Sequence, residues 1–324
     1  MKAVLCRTLD GPNALIVEDI ADPEAGPGEV VVAVKAVSLN FFDTLITAGK
    51  YQNKPALPFS PGGEIAGTVV SVGAGVTAWQ PGDRVMAYLG HGGARERVLV
   101  PEHSLVAIPD NVTDVIASGI AITYGTAIHG LRDRAGIVAG ETVVVLGASG
   151  GAGLAAIEIA RSMGGRVIAV ASTDEKRAIC RAHGAEETLS TSAGDLKDSL
   201  RRLTSGKGVD IVYDCVGGEL AEPAFRALAW KGRYLVIGFA SGDVPRLPLN
   251  LFLLKGAAAL GVFWGEAVKR DPEGHRANLR YALDAISAGT LRPHVHCVLP
   301  LEQVRDGLEL LMRREVSGKV VLSV

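Results

Sequence analysis

The chain has 324 residues, 48% hydrophobic and 21% charged, enough apolar material for about two globular domains and too much for a disordered chain. Thirty-three basic side chains against thirty-five acidic ones leave a formal net charge of −2, so no broad field draws the molecule to nucleic acid or anionic lipid. No uninterrupted apolar run approaches the roughly 18 residues needed to cross a bilayer.

The amino-terminal segment Met1-Lys2-Ala3-Val4-Leu5-Cys6-Arg7 reads as a short strand, with Arg7 and Asp10 arriving before a signal-peptide core develops, and the expected location is the cytoplasm. Up to about residue 118, β-branched runs such as Glu29-Val30-Val31-Val32-Ala33-Val34 and Gly67-Thr68-Val69-Val70-Ser71-Val72-Gly73 alternate with Gly, Pro and Asp punctuation. This pattern predicts an antiparallel β domain whose functional groups sit on loops. Cys6, Cys180, Cys215 and Cys297 are widely spaced, with no Cys-x-x-Cys pair, which argues against a disulfide framework and against a four-cysteine zinc lobe.

From Glu141 the texture changes to strands alternating with helices, the signature of a parallel sheet built from βαβ units. Thr142-Val143-Val144-Val145-Leu146 is a continuous apolar strand of the kind buried on both faces. A helix over about 151–163, a strand at 166–170 and a helix at 174–183 complete the first unit. Strands near 188, at 209–213, at 233–237 and at 257–263, with a helix near Leu196, continue the alternation. Beyond about residue 265, helices at 279–286 and 301–312 and a closing strand at 319–322 are expected to return to the first domain. The plan is therefore residues 1–120 with 266–324 as a β-rich domain, and 121–265 as an inserted doubly wound α/β domain.

Between the first strand and helix of the insert stands Gly147-Ala148-Ser149-Gly150-Gly151-Ala152-Gly153. A dinucleotide pyrophosphate needs a backbone it can approach without meeting a Cβ and a helix N-terminus that offers free N–H groups. Gly150, Gly151, Ala152 and Gly153 are the expected contacts. The second strand ends Val170-Ala171-Ser172-Thr173 without the carboxylate that would accept from the ribose hydroxyl of NAD. Ser172, Lys176 and Arg177 suit a 2′-phosphate instead, which favours NADP(H). The same stretch also reads as a capping box, with Ser172 and Glu175 serving helix N–H groups.

These motifs, with Ser38-Leu39-Asn40-Phe41-Phe42-Asp43, Pro61-Gly62-Gly63-Glu64-Ile65-Ala66-Gly67, Pro81-Gly82-Asp83-Arg84-Val85, Tyr124-Gly125-Thr126-Ala127 and Gly318-Lys319-Val320-Val321-Leu322, span essentially the whole chain. Together they resemble the zinc-independent quinone oxidoreductases, the group including zeta-crystallin, of the medium-chain dehydrogenase/reductase superfamily. The resemblance implies a GroES-like catalytic domain wrapped around a Rossmann domain, an active site in the cleft between them, and a homodimer. It also implies an NADPH-dependent transfer of hydride to quinones or other α,β-unsaturated carbonyls.

Zinc-dependent members of the superfamily carry a Cys ligand in the first of these segments and a His-Glu pair in the second. Here Asn40-Phe41-Phe42-Asp43 has no Cys, and Gly63 precedes Glu64, so no zinc is expected and Glu64 reads as a structural carboxylate pairing with a buried basic group. By matching motifs, the resemblance places Asn40, Asp43, Tyr51 and Thr126 as catalytic residues around nicotinamide and acceptor, with Asn40 and Thr126 also touching the cofactor. Asn40 and Tyr51 would donate to an oxygen gaining charge. Further cofactor contacts are expected at Cys215 and Val216, at Phe239 and at Phe263, all at carboxyl ends of parallel strands. The same residues have plainer readings: Asn40 and Asp43 as helix caps, Tyr51 as a loop aromatic, Thr126 bonded back within its own helix. Leu45 and Thr191 depart from the family pattern, each standing where some relatives have Tyr. A 2-enal or enoyl-thioester (acyl-CoA) reductase, for which Arg95, Arg97 and Arg134 are candidate basic groups, and a non-catalytic NADPH-binding protein are the alternative functions.

Overall fold

The computed structural model describes residues 1–192 and 195–324. Its contacts divide the chain into two units, one of residues 1–122, 268–289 and 293–324, the other of residues 123–267 and 290–292.

The first unit is organised by one long strand, Glu29–Leu39, whose alternate valines enter the core with Ile65, Val69, Val85 and Leu322. It pairs antiparallel with Glu64–Val72, Arg97–Pro101 and Lys319–Ser323. Two register shifts bend its pairing with Glu64–Val72, and Gly67 lies at that bend. A Cβ on Gly67 would stand 2.1 Å from the Ala33 carbonyl oxygen, so only glycine permits the approach. Arg84–Tyr88 and Leu105–Ala107 extend the sheet beyond Glu64–Val72.

The expectation of an antiparallel domain holds for this sheet except at one side. There the strand Val295–Pro300, which the sequence reading passed over, runs parallel to Lys319–Ser323. Helix Val304–Met312 lies between the two strands in sequence, as a parallel pair requires. The amphipathic pattern expected at 279–286 belongs to a longer helix, Pro272–Ser287, capped by Asp271.

The second unit is a six-stranded sheet whose neighbouring strands are all parallel. Its spatial order is Glu187–Ser190, Arg166–Ala171, Thr142–Leu146, Val209–Asp214, Leu228–Val236, Ala258–Gly261, the doubly wound order in which the chain reverses beside the first strand. Thr142–Leu146 is buried along its whole length, as its unbroken apolar run requires. The capping reading at Ser172 is corrected by one residue: Thr173 is the N-cap of helix Asp174–Ala182, its hydroxyl accepting from Lys176 N at 3.2 Å. No helix among the described residues is long and apolar enough to cross a membrane.

Candidate active site

The strand Glu29–Leu39 delivers Asn40 directly to the start of helix Phe41–Thr47. Asp43 closes the first turn, its Oδ2 accepting from Asn40 N at 2.8 Å, so the capping role is realised. Its Oδ1 accepts from Gly62 N at 2.9 Å and pins the Pro61-Gly62-Gly63 turn to the helix. Asp43 is fully buried, and burial pushes its carboxyl up to about 7 against the pull of the two amide donors and Lys319.

Asn40 is held on both ends of its amide. Its Oδ1 accepts from Lys319 Nζ at 2.6 Å, while Nδ2 donates to Glu64 Oε1 at 3.0 Å and to the Ser38 carbonyl at 3.4 Å. Lys319 also donates to Glu64 Oε1 at 2.9 Å and to the Leu39 carbonyl at 3.2 Å. Glu64 Oε2 completes the cluster by accepting from Ile122 N at 2.8 Å. Glu64 is thus a buried structural carboxylate with a basic partner, as its setting in the sequence suggested. The partner is Lys319, which nothing in the sequence marks out for this role. The Asn40 amide hydrogens are committed to Glu64 and Ser38, which leaves the phenol of Tyr51 as a donor.

Tyr51 lies beside Phe42, ring centroids 5.5 Å apart, and its hydroxyl bonds to no described residue. Burial, reinforced by Asp43, raises its pKa, so the phenol keeps its proton at neutral pH. Tyr88, in strand Arg84–Tyr88, belongs to the same surroundings. Burial and the neighbouring Tyr51, Glu64 and Asp43 push its phenol up to about 12. Sequence reasoning missed Tyr88 because an aromatic on a strand carries no local mark of the loop it will face.

In the second unit, helix Gly151–Ser162 starts at the glycine turn, with Gly150 as N-cap and no acidic residue in its first turn. The amides of Gly151, Ala152 and Gly153 have no acceptor among the described residues. A Cβ on Gly153 would lie 2.4 Å from the Gly147 carbonyl oxygen, so this glycine lets the helix pack on the turn, whereas one on Gly150 would meet only Gly147 O at 3.5 Å. Gly150 therefore faces open space, the cradle a pyrophosphate needs.

At the strand tip Ser172 is exposed. Arg177 is drawn back onto Asp174 and onto the carbonyls of Ala171 and Ser172 at 3.2 and 3.3 Å. Cys215 and Val216 follow Val209–Asp214 in a turn shaped by Asp214, a residue the sequence reading did not single out. Asp214 Oδ1 accepts from Val216 N and Gly217 N at 2.7 and 2.9 Å, and its Oδ2 accepts from the Tyr234 hydroxyl. The turn is joined to the Phe239 loop by Ala240 N and Ser241 N, which donate to Cys215 O and Val216 O. Burial raises the Cys215 thiol far above its ordinary value, so it is no nucleophile.

Phe263 is 58% exposed, while Trp264 is buried over Gly125, where a Cβ would come within 2.7 Å of the indole. Thr126, next along helix Ala121–Ile128, is buried, and its hydroxyl makes no bond back into the helix. Glu158 on the glycine-turn helix is another residue without a mark in the sequence. It accepts from Tyr124 OH at 2.6 Å and from Arg292 N, and it pairs with His183 Nδ1 at 2.7 Å, anchoring that helix from behind.

A β-rich unit carrying a buried polar cluster and a doubly wound unit with a glycine turn define a nicotinamide-dependent oxidoreductase of two domains. Comparison with known proteins agrees. The alcohol dehydrogenase GroES-like domain matches residues 26–110, and the zinc-binding dehydrogenase family matches residues 151–286. Quinone oxidoreductase-like protein 2 of Rattus norvegicus is 38% identical over 324 residues, all of this chain and 92% of that protein. The quinone oxidoreductase of Homo sapiens is 31% identical over 325 residues, 99% of this chain and 97% of that one. Mycobacterial Rv1454c, solved as a complex with NADPH, superposes with a TM-score of 0.93 at 30% identity, covering 100% of both chains. The chain belongs to the quinone oxidoreductase family of the medium-chain dehydrogenase/reductase superfamily.

The second family description names zinc, and the side chains at the corresponding segments do not fit it. Asn40 and Gly63 supply neither thiolate nor imidazole. A side chain at position 63 would begin 2.6 Å from the Phe42 ring, and the ammonium of Lys319 already neutralises Glu64. A divalent cation here would face a fixed positive charge instead of a ligand set.

Proposed function

We propose that this oxidoreductase uses NADPH, without zinc, to reduce quinones and other α,β-unsaturated carbonyls. The observation that carries the reading is the Lys319 ammonium fixed between Glu64 and Asn40, a resident cation where the zinc enzymes would need a ligand set. Conjugated acceptors suit such a site, because they are electrophilic without a Lewis acid. When bound, NADPH supplies the hydride.

The chain's own part is to hold the two reactants and to receive charge. Gly150, Gly151, Ala152 and Gly153 take the pyrophosphate, with Cys215, Val216, Phe239 and Phe263 along the carboxyl ends of the sheet. Ser172 and Lys176 receive the 2′-phosphate, and Thr126 the nicotinamide end. Tyr51 donates its phenolic hydrogen bond to the acceptor oxygen as that oxygen gains charge. Asn40 and Asp43 fix the turn from which the site is built, with Asn40 also against the cofactor.

A homodimer fits the exposed side of the second unit. The edge strand Ala258–Gly261 has an unpaired flank, and Leu249, Leu253, Leu254 and Trp230 beside it are 68–81% exposed. A second copy covers this edge, and a monomeric mass in solution contradicts the pairing. Four free cysteines suit a reducing compartment, the cytoplasm.

Replacing Tyr51 with Phe tests the catalytic assignment. The expected result is a fall in kcat/KM for a quinone of about tenfold to a hundredfold with unchanged NADPH affinity. Unchanged turnover removes Tyr51 from the mechanism.

A further inference from the structure

The loop 89–95 lies directly on the turn that Asp43 pins. Gly92 N, Gly93 N and Ala94 N donate to the carbonyls of Ser60, Gly62 and Pro61 at 2.7 to 2.9 Å, and Leu89 N donates to Gly63 O at 2.8 Å. Gly90 and Gly92, with φ of +78° and +102°, present His91 between two left-handed glycines. Phe59 meets the His91 ring edge-on at 5.9 Å.

Of Arg95, Arg97 and Arg134, the candidate basic groups for an acyl-CoA substrate, two are committed elsewhere: Arg97 pairs with Asp22, and Arg134 Nε donates to the Gly261 carbonyl at 3.2 Å. Arg95 differs. One terminal nitrogen donates to the buried Ser60 hydroxyl at 2.9 Å, its Nε is buried, and among the described residues neither an acceptor for that Nε nor a carboxylate partner for the guanidinium is present. The Nδ1 of His91 is likewise buried without a partner. Burial lowers the pKa of both groups, and the charge of Arg95 adds to the effect on His91. A half-buried guanidinium with an idle donor and no counterion is costly, and an oxyanion would offset that cost.

We propose that Arg95, with His91 and Ser60, forms an anion subsite that selects acceptors carrying an anionic oxygen group. The proposal rests on the reading of the molecule as a conjugated-acceptor reductase and adds the charge of the acceptor. Arg95 is a specificity residue, contacting the substituent and not the reacting carbon.

The test is titration calorimetry on protein saturated with NADP⁺, where no hydride is available, using menadione, 1,4-naphthoquinone-2-sulfonate and coenzyme A. The sulfonate is expected to bind about tenfold or more tightly than menadione at about 0.01 M ionic strength, an advantage that shrinks at 0.15 M. Arg95→Gln should erase the difference between the two quinones and Arg95→Lys should keep most of it. Coenzyme A binding that depends on Arg95 assigns the subsite to a phosphate handle, and sulfonate binding alone assigns it to a substituent on the acceptor. Equal affinities for the two quinones in the wild type with no Arg95-dependent binding of coenzyme A overturn the proposal, as does a preference that survives Arg95→Gln. The salt dependence decides the matter in wild-type protein if Arg95→Gln fails to fold. NADPH oxidation with menadione, run alongside, judges the reductase reading separately from the subsite.

Discussion

Lys319 Nζ stands 2.9 Å from Glu64 Oε1, an ion pair with side chains 7% and 0% exposed, and the same ammonium holds the Asn40 amide oxygen. Buried pairs of this kind add little against an apolar replacement, yet breaking one leaves an uncompensated charge. Lys319→Met should therefore destabilise the protein by roughly 3–5 kcal/mol, measured by chemical denaturation. Adding Glu64→Gln should recover part of the loss, because the stranded carboxylate is gone. Additive losses in the double variant would show that the two side chains do not act as a pair.

Asp43 supplies a pH dependence with a defined sign. Its folded pKa of about 7 lies above the ordinary 3.8, so the folded protein holds this proton more tightly than the unfolded chain. The contribution is whole below about pH 4 and is lost as pH rises through 7, up to about 4 kcal/mol. Denaturation midpoints of wild type and Asp43→Asn across pH 4 to 8 check this. The wild type should lose stability relative to the variant over that window, and parallel curves would count against the buried proton.

Gly150 and Gly153 of the turn should separate folding from binding. Gly150→Ala, whose Cβ meets only Gly147 O at 3.5 Å, should fold normally and bind NADPH about tenfold more weakly, because the methyl enters the pyrophosphate cradle. Gly153→Ala, with its Cβ 2.4 Å from a carbonyl oxygen, should lose roughly 1–3 kcal/mol of stability before binding is considered. Thermal unfolding and fluorescence titration distinguish the pair, and a Gly150→Ala variant with full affinity would move the pyrophosphate elsewhere.

Cofactor choice should follow Lys176 and not Arg177. Arg177 is tied to Asp174 and to two carbonyls of the strand tip, so Arg177→Ala should weaken NADPH and NADH alike. Lys176→Ala should weaken NADPH by about tenfold and leave NADH little changed. Equal losses for both nucleotides in Lys176→Ala would place the 2′-phosphate on other groups.

Much of the dinucleotide-binding unit was legible because its signals are local. An unbroken apolar strand, a glycine turn and a helix follow one another between Thr142 and Ser162, and the Asn40–Asp43 cap likewise spans a single helical turn. The ammonium opposite Glu64 was foreseen as a type but not as Lys319, since that contact closes over 255 residues. Val295–Pro300 alternates half-buried and exposed residues at a sheet margin, too weak a pattern to stand out between His294 and Pro300. Tyr88, Asp214 and Glu158 owe their roles to neighbours brought by the fold. The one-residue error at Ser172 arose because Ser172 and Thr173 are both good N-caps, and only the backbone turn decides between them.

The most direct test is the initial rate of NADPH oxidation in the presence of a chelator, with 9,10-phenanthrenequinone and with a medium-chain 2-enoyl-CoA, the better acceptor then repeated with NADH. Turnover of the quinone that survives the chelator and prefers NADPH is the predicted result. Turnover of the thioester alone would make the protein an enoyl reductase, and silence with both acceptors would contradict the account in favour of a protein that binds the nucleotide without using it.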